Sequence, residues 1–275
     1  MLNVILKKLI FWLLLGVTLL YSLFPIYWMV VTSLRDPSVL YTSASLLPGP
    51  WSLQSYRVLL SLTDYPTWFS NSMIVAFGTV SITIVLSTLI AYAVTRLDFP
   101  GKMFIVGSML FAYMFPPLLL AIPMASLFVA IGIYDSLLAL IIAHTALALP
   151  LGVWLLWGFF KQIPPDVEEA AMVDGCSRLG AFLRVVLPLT LPGIITVAIF
   201  SFLLSWTDYI FGFILISNDV NKTLPVGLET MVGLYELRWG ELMAGSTLIV
   251  LPLFLMFAFL SRYFISGLAA GAVKG

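Results

Sequence analysis

The chain has 275 residues, of which 61% are hydrophobic and 9% are Lys, Arg, Asp or Glu, and its formal net charge is zero. A water-soluble protein would carry about a quarter charged residues, so this composition and a mean hydropathy of +1.10 exclude a soluble globular protein. The zero net charge implies no polyanionic partner, and we expect no binding of nucleic acid. The single cysteine, Cys176, excludes an intramolecular disulfide.

Apolar runs long enough to cross a bilayer as helices occur six times. About 20 apolar residues suffice for one crossing, whereas a membrane β-barrel would need many segments of about 10 residues with alternating polarity, and none appear. We therefore predict an all-α integral membrane protein with six transmembrane helices. The predicted spans are Leu9–Leu34, Asn71–Thr95, Met103–Ile131, Ser136–Phe160, Leu191–Ile216 and about Leu242–Ser261.

The first run follows Lys7 and Lys8, but it continues to Leu34 without a cleavage signal. We expect a retained span rather than a removed signal peptide. If the N-terminus is cytoplasmic, nine Lys and Arg residues fall in cytoplasmic segments and four in external ones. This distribution agrees with the positive-inside rule, so both termini are predicted to be cytoplasmic, with external loops at residues 35–70 and 217–241.

Prolines lie inside several predicted spans, among them Pro116, Pro117 and Pro123 in the third and Pro150 in the fourth. Each removes a backbone hydrogen bond and favours a kink. Such kinks serve either helix packing or a pathway that opens and closes, and the sequence does not decide between the two.

Charge is concentrated in one predicted cytoplasmic loop, residues 161–190. The 24 residues from Lys161 to Arg184 hold seven of the 26 charged side chains. Prolines followed by acids in "IPPDVEEAAMVDG" predict a helix start, because the positive end of the helix dipole favours carboxylates. Helical periodicity places four of its residues on one smooth face open to another protein. They are Val167, Ala170, Ala171 and Asp174.

A second short helix is predicted after Gly175, which is suited to end the first helix in a left-handed conformation. Ser177 is placed to cap the second helix. Its apolar stripe, expected to rest on the helix bundle, is formed by Leu179, Phe182, Leu183 and Val186. Periodicity alone favours an ordinary amphipathic surface helix over a docking site. The choice between the two therefore depends on which residues occur at fixed spacing in this loop.

One set of residues in this loop consists of Glu169-Ala170-Ala171, then Gly175 after three intervening residues, then Val185-x-Leu187-Pro188 after nine more. It resembles the EAA loop of ABC importer permeases. That pattern runs E-A-A-x3-G-x9-I-x-L-P, and Val185 in place of isoleucine is the one departure. The stretches "RLDFPGK", "MFPPLLLAIP", "IGIYDS" and "SWTDYIFGF" are similar to the carbohydrate-uptake branch. The ending "GLAAGAVKG" resembles the six-span subunit of maltose- and trehalose-type importers.

The resemblance implies a type I ABC importer permease fold, with one transmembrane domain over residues 1–275 and a core of about 68–265. It implies that the 161–190 loop holds a cytoplasmic coupling helix that docks on an ATPase, and that the 217–241 loop faces an external substrate-binding protein. The C-terminal tail, Gly267–Gly275, would reach toward the ATPases. The residues implied to couple to the ATPase are Glu168, Glu169, Ala170, Ala171, Asp174, Gly175 and Pro188.

The implied complex has a second permease subunit, forming a heterodimer, and two cytoplasmic ATPase subunits. It would lie in the cell (inner) membrane of a bacterium or archaeon, in contact with lipid, and import a sugar such as trehalose or maltose. The chain has no G-x-x-x-x-G-K-[ST] loop to hold nucleotide phosphates. We therefore expect it not to be an enzyme and to carry no cofactor, with ATP and Mg bound by the partner ATPases.

Asp208 is the one carboxylate well inside a predicted span, where an acid faces a cavity or a partner. It either lines a substrate pathway or makes structural hydrogen bonds. Trp206 and Tyr209 beside it either stack on sugar rings or anchor the membrane interface. His144 is interpreted as a neutral histidine hydrogen-bonded between helices, and no metal site is predicted.

Two other classes of membrane protein fit the sequence less well than a sugar importer. An ion-coupled secondary transporter would have several buried ionisable groups and often repeat symmetry. An intramembrane enzyme would need a nucleophile with its base, a metal motif or two facing acids. Within the preferred class, an ABC importer permease for a non-sugar solute remains an alternative.

Overall fold

The computed structural model describes the backbone of residues 2–40, 49–232 and 238–272, and the side chains of residues 5–40, 49–232 and 238–259. The side chains of the tail Gly267–Gly275 therefore lie outside the described residues. The described residues form helices joined by turns and loops, with an isolated β-bridge between Arg35 and Trp51. Its first helices are α1 Leu2–Ser33, α2 Pro37–Leu40, α3 Gln54–Leu62, α4 Tyr65–Arg96, α5 Lys102–Tyr113, α6 Pro117–Ala130 and α7 Leu137–Gln162. The later ones are α8 Pro165–Val173, α9 Arg178–Leu189, α10 Leu191–Trp206, α11 Ile210–Leu215, α12 Leu224–Glu229 and α13 Trp239–Ala272.

The number of candidate spans reaches the predicted six only when each bent pair of helices is counted as one crossing, and one of these pairs includes α9, which lies in the predicted 161–190 loop. Four helices, α1, α4, α7 and α13, are each long and apolar enough to cross a bilayer. Two further pairs qualify together: α5 with α6, bent by 103°, and α9 with α10, bent by 71°. The described chain thus has four to six candidate spans, and the predicted all-α membrane fold is confirmed.

The bend in the third span lies at the predicted prolines. α5 ends at Tyr113, and α6 begins at Pro117 after an extended Pro116 with ψ of 127°. Neither proline has an N–H to continue the helical hydrogen-bond ladder, and Pro117 forces the preceding residue out of the helical region. By contrast, Pro123 and Pro150 lie inside helices that continue past them.

The fifth predicted span, Leu191–Ile216, is not one continuous helix. α10 ends at Trp206, and the shorter α11 begins at Ile210. The prediction was wrong here because the break needs no proline or glycine. The side chain of Asp208 instead accepts backbone N–H groups at the start of α11, which stabilises a new helix start inside an apolar run.

The chain divides into two compact units, residues 1–66 with 227–252 and residues 67–226 with 253–275. Two hydrophobic clusters lie among the described residues of the second unit, and α4 and α7 contribute to both. The first cluster includes Val75, Ala121, Phe128, Ala139, Leu140, Ala143, Phe211, Leu215 and Ile216. The second includes Ala91, Val153, Leu156, Phe160, Phe182, Val186 and Val197.

The first unit contains α1, whose apolar side chains are exposed over most of residues 5–27 in the isolated chain. The Ser33 hydroxyl, at the end of this helix, lies 2.7 Å from the Tyr56 hydroxyl of α3. The Tyr65 hydroxyl donates a hydrogen bond to the Gly245 carbonyl oxygen of α13 over 3.1 Å. Side-chain hydrogen bonds therefore join the helices of this unit, as is common for polar groups in membrane bundles.

Close packing around α7 depends on Gly152, which is buried. A Cβ at this position would lie 3.2 Å from the Ser87 Cβ of α4 and 3.2 Å from the Val197 Cγ1 of α10. Small residues at such contacts allow membrane helices to approach closely. Three helices of the second unit therefore pack around this residue.

Replacing Gly152 with valine is expected to lower the midpoint of thermal unfolding, because the added side chain overpacks the contact at a cost of about 1–3 kcal/mol. Gly158 is the matched control on the same helix, since a Cβ there would meet no atom within 4 Å. Thermal unfolding in detergent should show a lower midpoint for Gly152→Val and little change for Gly158→Val. Equal midpoints for the two variants would contradict this packing.

Candidate functional site

The helix start predicted near Pro164 and Pro165 is confirmed in α8. Pro164 immediately precedes the helix, Pro165 occupies its first position, and Asp166 and Glu168 lie in its first turn. Proline fits this position because the first helical N–H groups have no partner within the helix. The two carboxylates interact favourably with the partial positive charge of the helix N-terminus.

The predicted hinge after α8 is also confirmed. Gly175 is in the left-handed region with φ of +92°, and the Cys176 N–H donates to the Ala171 carbonyl oxygen over 3.0 Å. This bond across the last turn is typical of a glycine-terminated helix. The second helix, α9, begins after Ser177, whose hydroxyl accepts the Gly180 N–H over 3.2 Å as predicted.

The exposed face of α8 is displaced by one residue from the predicted face of Val167, Ala170, Ala171 and Asp174. Val167 and Ala171 are half-buried, so that prediction was wrong for two of its four residues. A shift by one residue corresponds to a rotation of about 100° around the helix axis. The exposed set with the same spacing is Asp166, Glu169, Ala170 and Val173.

The inward side of α8 carries Glu168, which is only 4% exposed. Its Oε2 lies 3.2 Å from the Nε of Arg96, and the two side chains are 5% and 8% exposed. The Tyr92 hydroxyl donates a hydrogen bond to Glu168 Oε1, and the Arg178 Nε lies 4.0 Å from the same oxygen. A buried carboxylate is tolerated only with such compensation, so these donors determine which side of α8 faces inward.

The residues that hold Glu168 also join three other helices. The Arg96 Nη2 donates to the carbonyl oxygen of Ile163, directly after α7, over 2.8 Å. The Tyr92 ring centroid lies 4.4 Å from that of Phe182 in α9 and 6.0 Å from that of Phe160 in α7. The last turn of α4 therefore contacts α7, α8 and α9 in one place.

Half of the apolar stripe predicted for α9 is buried. Phe182 is 5% and Val186 0% exposed, whereas Leu179 and Leu183 are 66% and 50% exposed. The helix widens to a π-helical segment between the two buried residues, a local distortion that is frequent at functional sites. The predicted site residue Pro188 lies exposed in the last turn, before the bend into α10.

The three predicted pathway residues lie where α10 gives way to α11, and they differ in exposure. Trp206 is 0% exposed and stacks on Phe202 at a centroid distance of 5.4 Å. In this conformation its ring therefore offers no face to a sugar. Tyr209 is 38% exposed and stacks with Phe213 at 5.5 Å, and the Asp208 side chain is 13% exposed.

Asp208 makes a network of structural contacts. Its two carboxylate oxygens accept the N–H groups of Phe211 over 3.3 Å and Gly212 over 3.0 Å. The His144 Nε2 is 3.2 Å from Asp208 Oδ2, although its N–H is not aligned as a hydrogen bond, and Nδ1 is 3.0 Å from the Ser205 Oγ. The prediction that His144 bonds between helices is confirmed, while its pairing with Asp208 was not predicted.

A groove of about 250 Å³ lies between α5, α7 and α10. Its polar lining includes Tyr113, Ser201 and Thr207, but none of the three predicted pathway residues. In the residues that the structure describes, the break in the fifth predicted span therefore contributes only Thr207 to this groove.

The segment that follows α11 is held by side chains from two other parts of the second unit. Asp135, at the end of a tight turn, accepts the N–H groups of Ser217 and Asn218 over 2.9 and 3.0 Å. The Asn71 amide donates to the Lys222 carbonyl oxygen over 2.9 Å. The beginning of the 217–241 loop is thus fixed by the bundle beneath it.

Comparison with known proteins identifies relatives over nearly the whole chain. The chain is 38% identical to the inner membrane ABC transporter permease protein YcjP of Escherichia coli, over 95% of this chain and 94% of that protein. It is 35% identical to the trehalose/maltose transport system permease protein MalG of Thermococcus litoralis, over 92% of each.

The fold is similar to that of a solved bacterial ABC transporter involved in the import of the acidic polysaccharide alginate. The TM-score is 0.84 over 94% of this chain and 96% of that one, at 18% sequence identity. This agreement confirms the predicted ABC importer permease fold. Residues 83–269 match the family of binding-protein-dependent transport system inner membrane components, and with relatives of this similarity the chain belongs to that family.

Proposed function

We propose that this chain is a permease subunit of an ABC importer for a sugar and forms half of the translocation pathway beside a second permease subunit. The observation that carries the proposal is α8, which presents an exposed Glu169 and Ala170 on a short helix between apolar helices. The trehalose/maltose permease among its relatives supports the sugar class. Uptake of labelled trehalose and maltose by the assembled complex tests it.

The proposed orientation places both termini and α8 in the cytoplasm of a bacterium or archaeon. It is supported by nine basic residues on that side against four on the other. In this orientation the segment after α11 faces outward. Its backbone N–H groups at Ser217 and Asn218 donate hydrogen bonds to the Asp135 carboxylate, which supports a preformed surface there for a substrate-binding protein.

Two cytoplasmic ATPase subunits are proposed as the motor. They would bind ATP and Mg, since this sequence has no phosphate-binding loop of the G-x-x-x-x-G-K-[ST] type. Closure of the ATPase pair would push on α8 through Glu169, Ala170 and Val173, which are exposed. The permease helices would then move between inward-open and outward-open states.

The substitution Glu169→Gln is expected to weaken association with the ATPase, because it removes an exposed charge from the docking face. Hydrogen bonds to charged groups contribute about 1.5–3 kcal/mol, so co-purified ATPase should fall by about tenfold or more. Quantitative co-purification from membranes, together with sugar uptake, measures this effect.

Asp98→Asn is the matched control, because Asp98 is fully exposed in the turn between α4 and α5. A hydrogen bond from the Lys102 ammonium, 2.8 Å away, holds the pKa of Asp98 below its usual value, so the control also removes a negative charge. The control should retain ATPase association.

A third variant, Gly175→Pro, cannot adopt the φ of +92° found at that position. Unchanged ATPase binding and sugar uptake in this variant would rule out the coupling assignment.

The two roles considered for Asp208 are distinguished by Asp208→Asn and Asp208→Ala. Asparagine is about as favourable as aspartate at a helix N-cap, whereas replacement with alanine lowers the free energy of unfolding by about 0.5–2 kcal/mol. The two carboxylate oxygens accept one N–H group of α11 each, and asparagine keeps one of these two acceptors. We therefore expect Asp208→Ala to lower the thermal midpoint more than Asp208→Asn, and Asp208→Asn to retain most uptake. Loss of uptake in Asp208→Asn, at a thermal midpoint above that of Asp208→Ala, would instead identify a charge required in the pathway.

A further inference from the structure

We propose that Arg96 and Tyr92 act as a clamp on Glu168 that sets the rotation of α8 and joins it to α4 as one rigid body. Glu168 is then a positioning residue and not an ATPase contact, although it neighbours Glu169 in the EAA loop. The inference rests on the proposed function of α8 as the coupling helix, and it assigns different roles to two adjacent carboxylates.

The two carboxylates differ in surroundings, not in chemistry. Glu168 is 4% exposed, and its two oxygens contact the Arg96 guanidinium and the Tyr92 hydroxyl. Glu169, one residue further and about 100° around the helix, is exposed. A partner that approaches the outer face of α8 therefore meets Glu169, while Glu168 is already engaged inside the permease.

The Arg96 guanidinium makes the joint rigid because it binds two elements with one planar group. Its Nε faces Glu168 Oε2 over 3.2 Å, and its Nη2 donates to the Ile163 carbonyl oxygen over 2.8 Å. The donors of a guanidinium have fixed relative directions. The end of α4, the end of α7 and the start of α8 are consequently held at fixed positions relative to one another.

The clamp is shielded from water by apolar side chains. The Tyr92 ring lies between Phe160 and Phe182, and these residues belong to a cluster with Ala91 and Val186, both 0% exposed. An ion pair in such surroundings is screened less than a surface pair. Removing one partner leaves an uncompensated buried charge, which is strongly unfavourable.

The joint gives α4 a specific part in transmission. α4 has 32 residues, which corresponds to about 48 Å at 1.5 Å per residue and exceeds the thickness of the hydrocarbon core. A displacement of α8 by the ATPase would therefore act on the end of a helix that crosses the whole membrane. A helix of only nine residues that lacked this clamp would instead be free to rotate under load.

The test compares Glu168→Gln with its neighbour Glu169→Gln in full-length permease reconstituted in lipid nanodiscs, without ATPase. Amide hydrogen exchange over residues 165–175 reports the fixation of α8 directly. We expect exchange in Glu168→Gln to rise by about tenfold or more, and exchange in Glu169→Gln to match the wild type. Tyr92→Phe removes a single hydroxyl and should give a smaller rise in a chain that retains the ion pair.

A double variant, Arg96→Gln with Glu168→Gln, provides the second measurement. Two neutral amides can hydrogen-bond, so its exchange should lie closer to the wild type than that of either single variant, as expected for coupled residues. The clamp would be overturned if the increases in exchange of the two single variants added up in the double variant, or if Glu168→Gln exchanged at the wild-type rate. A wild-type permease that captures no ATPase would contradict the proposed function alone, because the exchange measurement does not depend on the ATPase.

Discussion

The contact between Arg96 and Glu168 determines which face of α8 packs against the helix bundle and which face is exposed. α8 leaves Val173 87% exposed and Met172 37% exposed, so burial of hydrophobic area alone does not select which of its faces turns inward. The carboxylate of Glu168, 4% exposed, does select one, since an unpaired buried charge would be very unfavourable. The outward position of Glu169 and Ala170 follows from the inward position of Glu168. A buried ion pair contributes little net stability, and here it provides a defined orientation.

The two broken spans meet the same physical constraint in different ways. Within a bilayer every backbone N–H and C=O needs a partner, and irregular backbone is tolerated only where one is available. At the first break the prolines Pro116 and Pro117 remove two donors, and the Phe115 N–H bonds back to Ala112 over 3.2 Å. At the second break Asp208 supplies the acceptor for two N–H groups of α11. An acid inside an apolar run thus permits a helix interruption.

The sequence was sufficient for features that depend on local composition. Apolar runs of about 20 residues predict spans, and Gly175 predicts a helix end because few other residues adopt φ near +92°. The sequence was insufficient where only tertiary contacts distinguish residues that have the same local preferences. Periodicity does not distinguish Glu168 from Glu169, which are chemically identical neighbours. The proximity of His144 to Asp208 also has no local signal, since the two residues are far apart in the sequence and meet only in the folded chain.

The two ends of α8 differ in how firmly they are connected, and this difference bears on how motion would pass through the permease. At its C-terminal end the chain turns through Gly175, a residue with few restrictions on its dihedrals, before α9 begins. At its N-terminal end Glu168 is held by side chains of α4. α9 itself packs on the same helix through Phe182 and the Tyr92 ring. Both helices of the loop therefore contact the end of α4, and these contacts connect the loop directly to the membrane-spanning bundle.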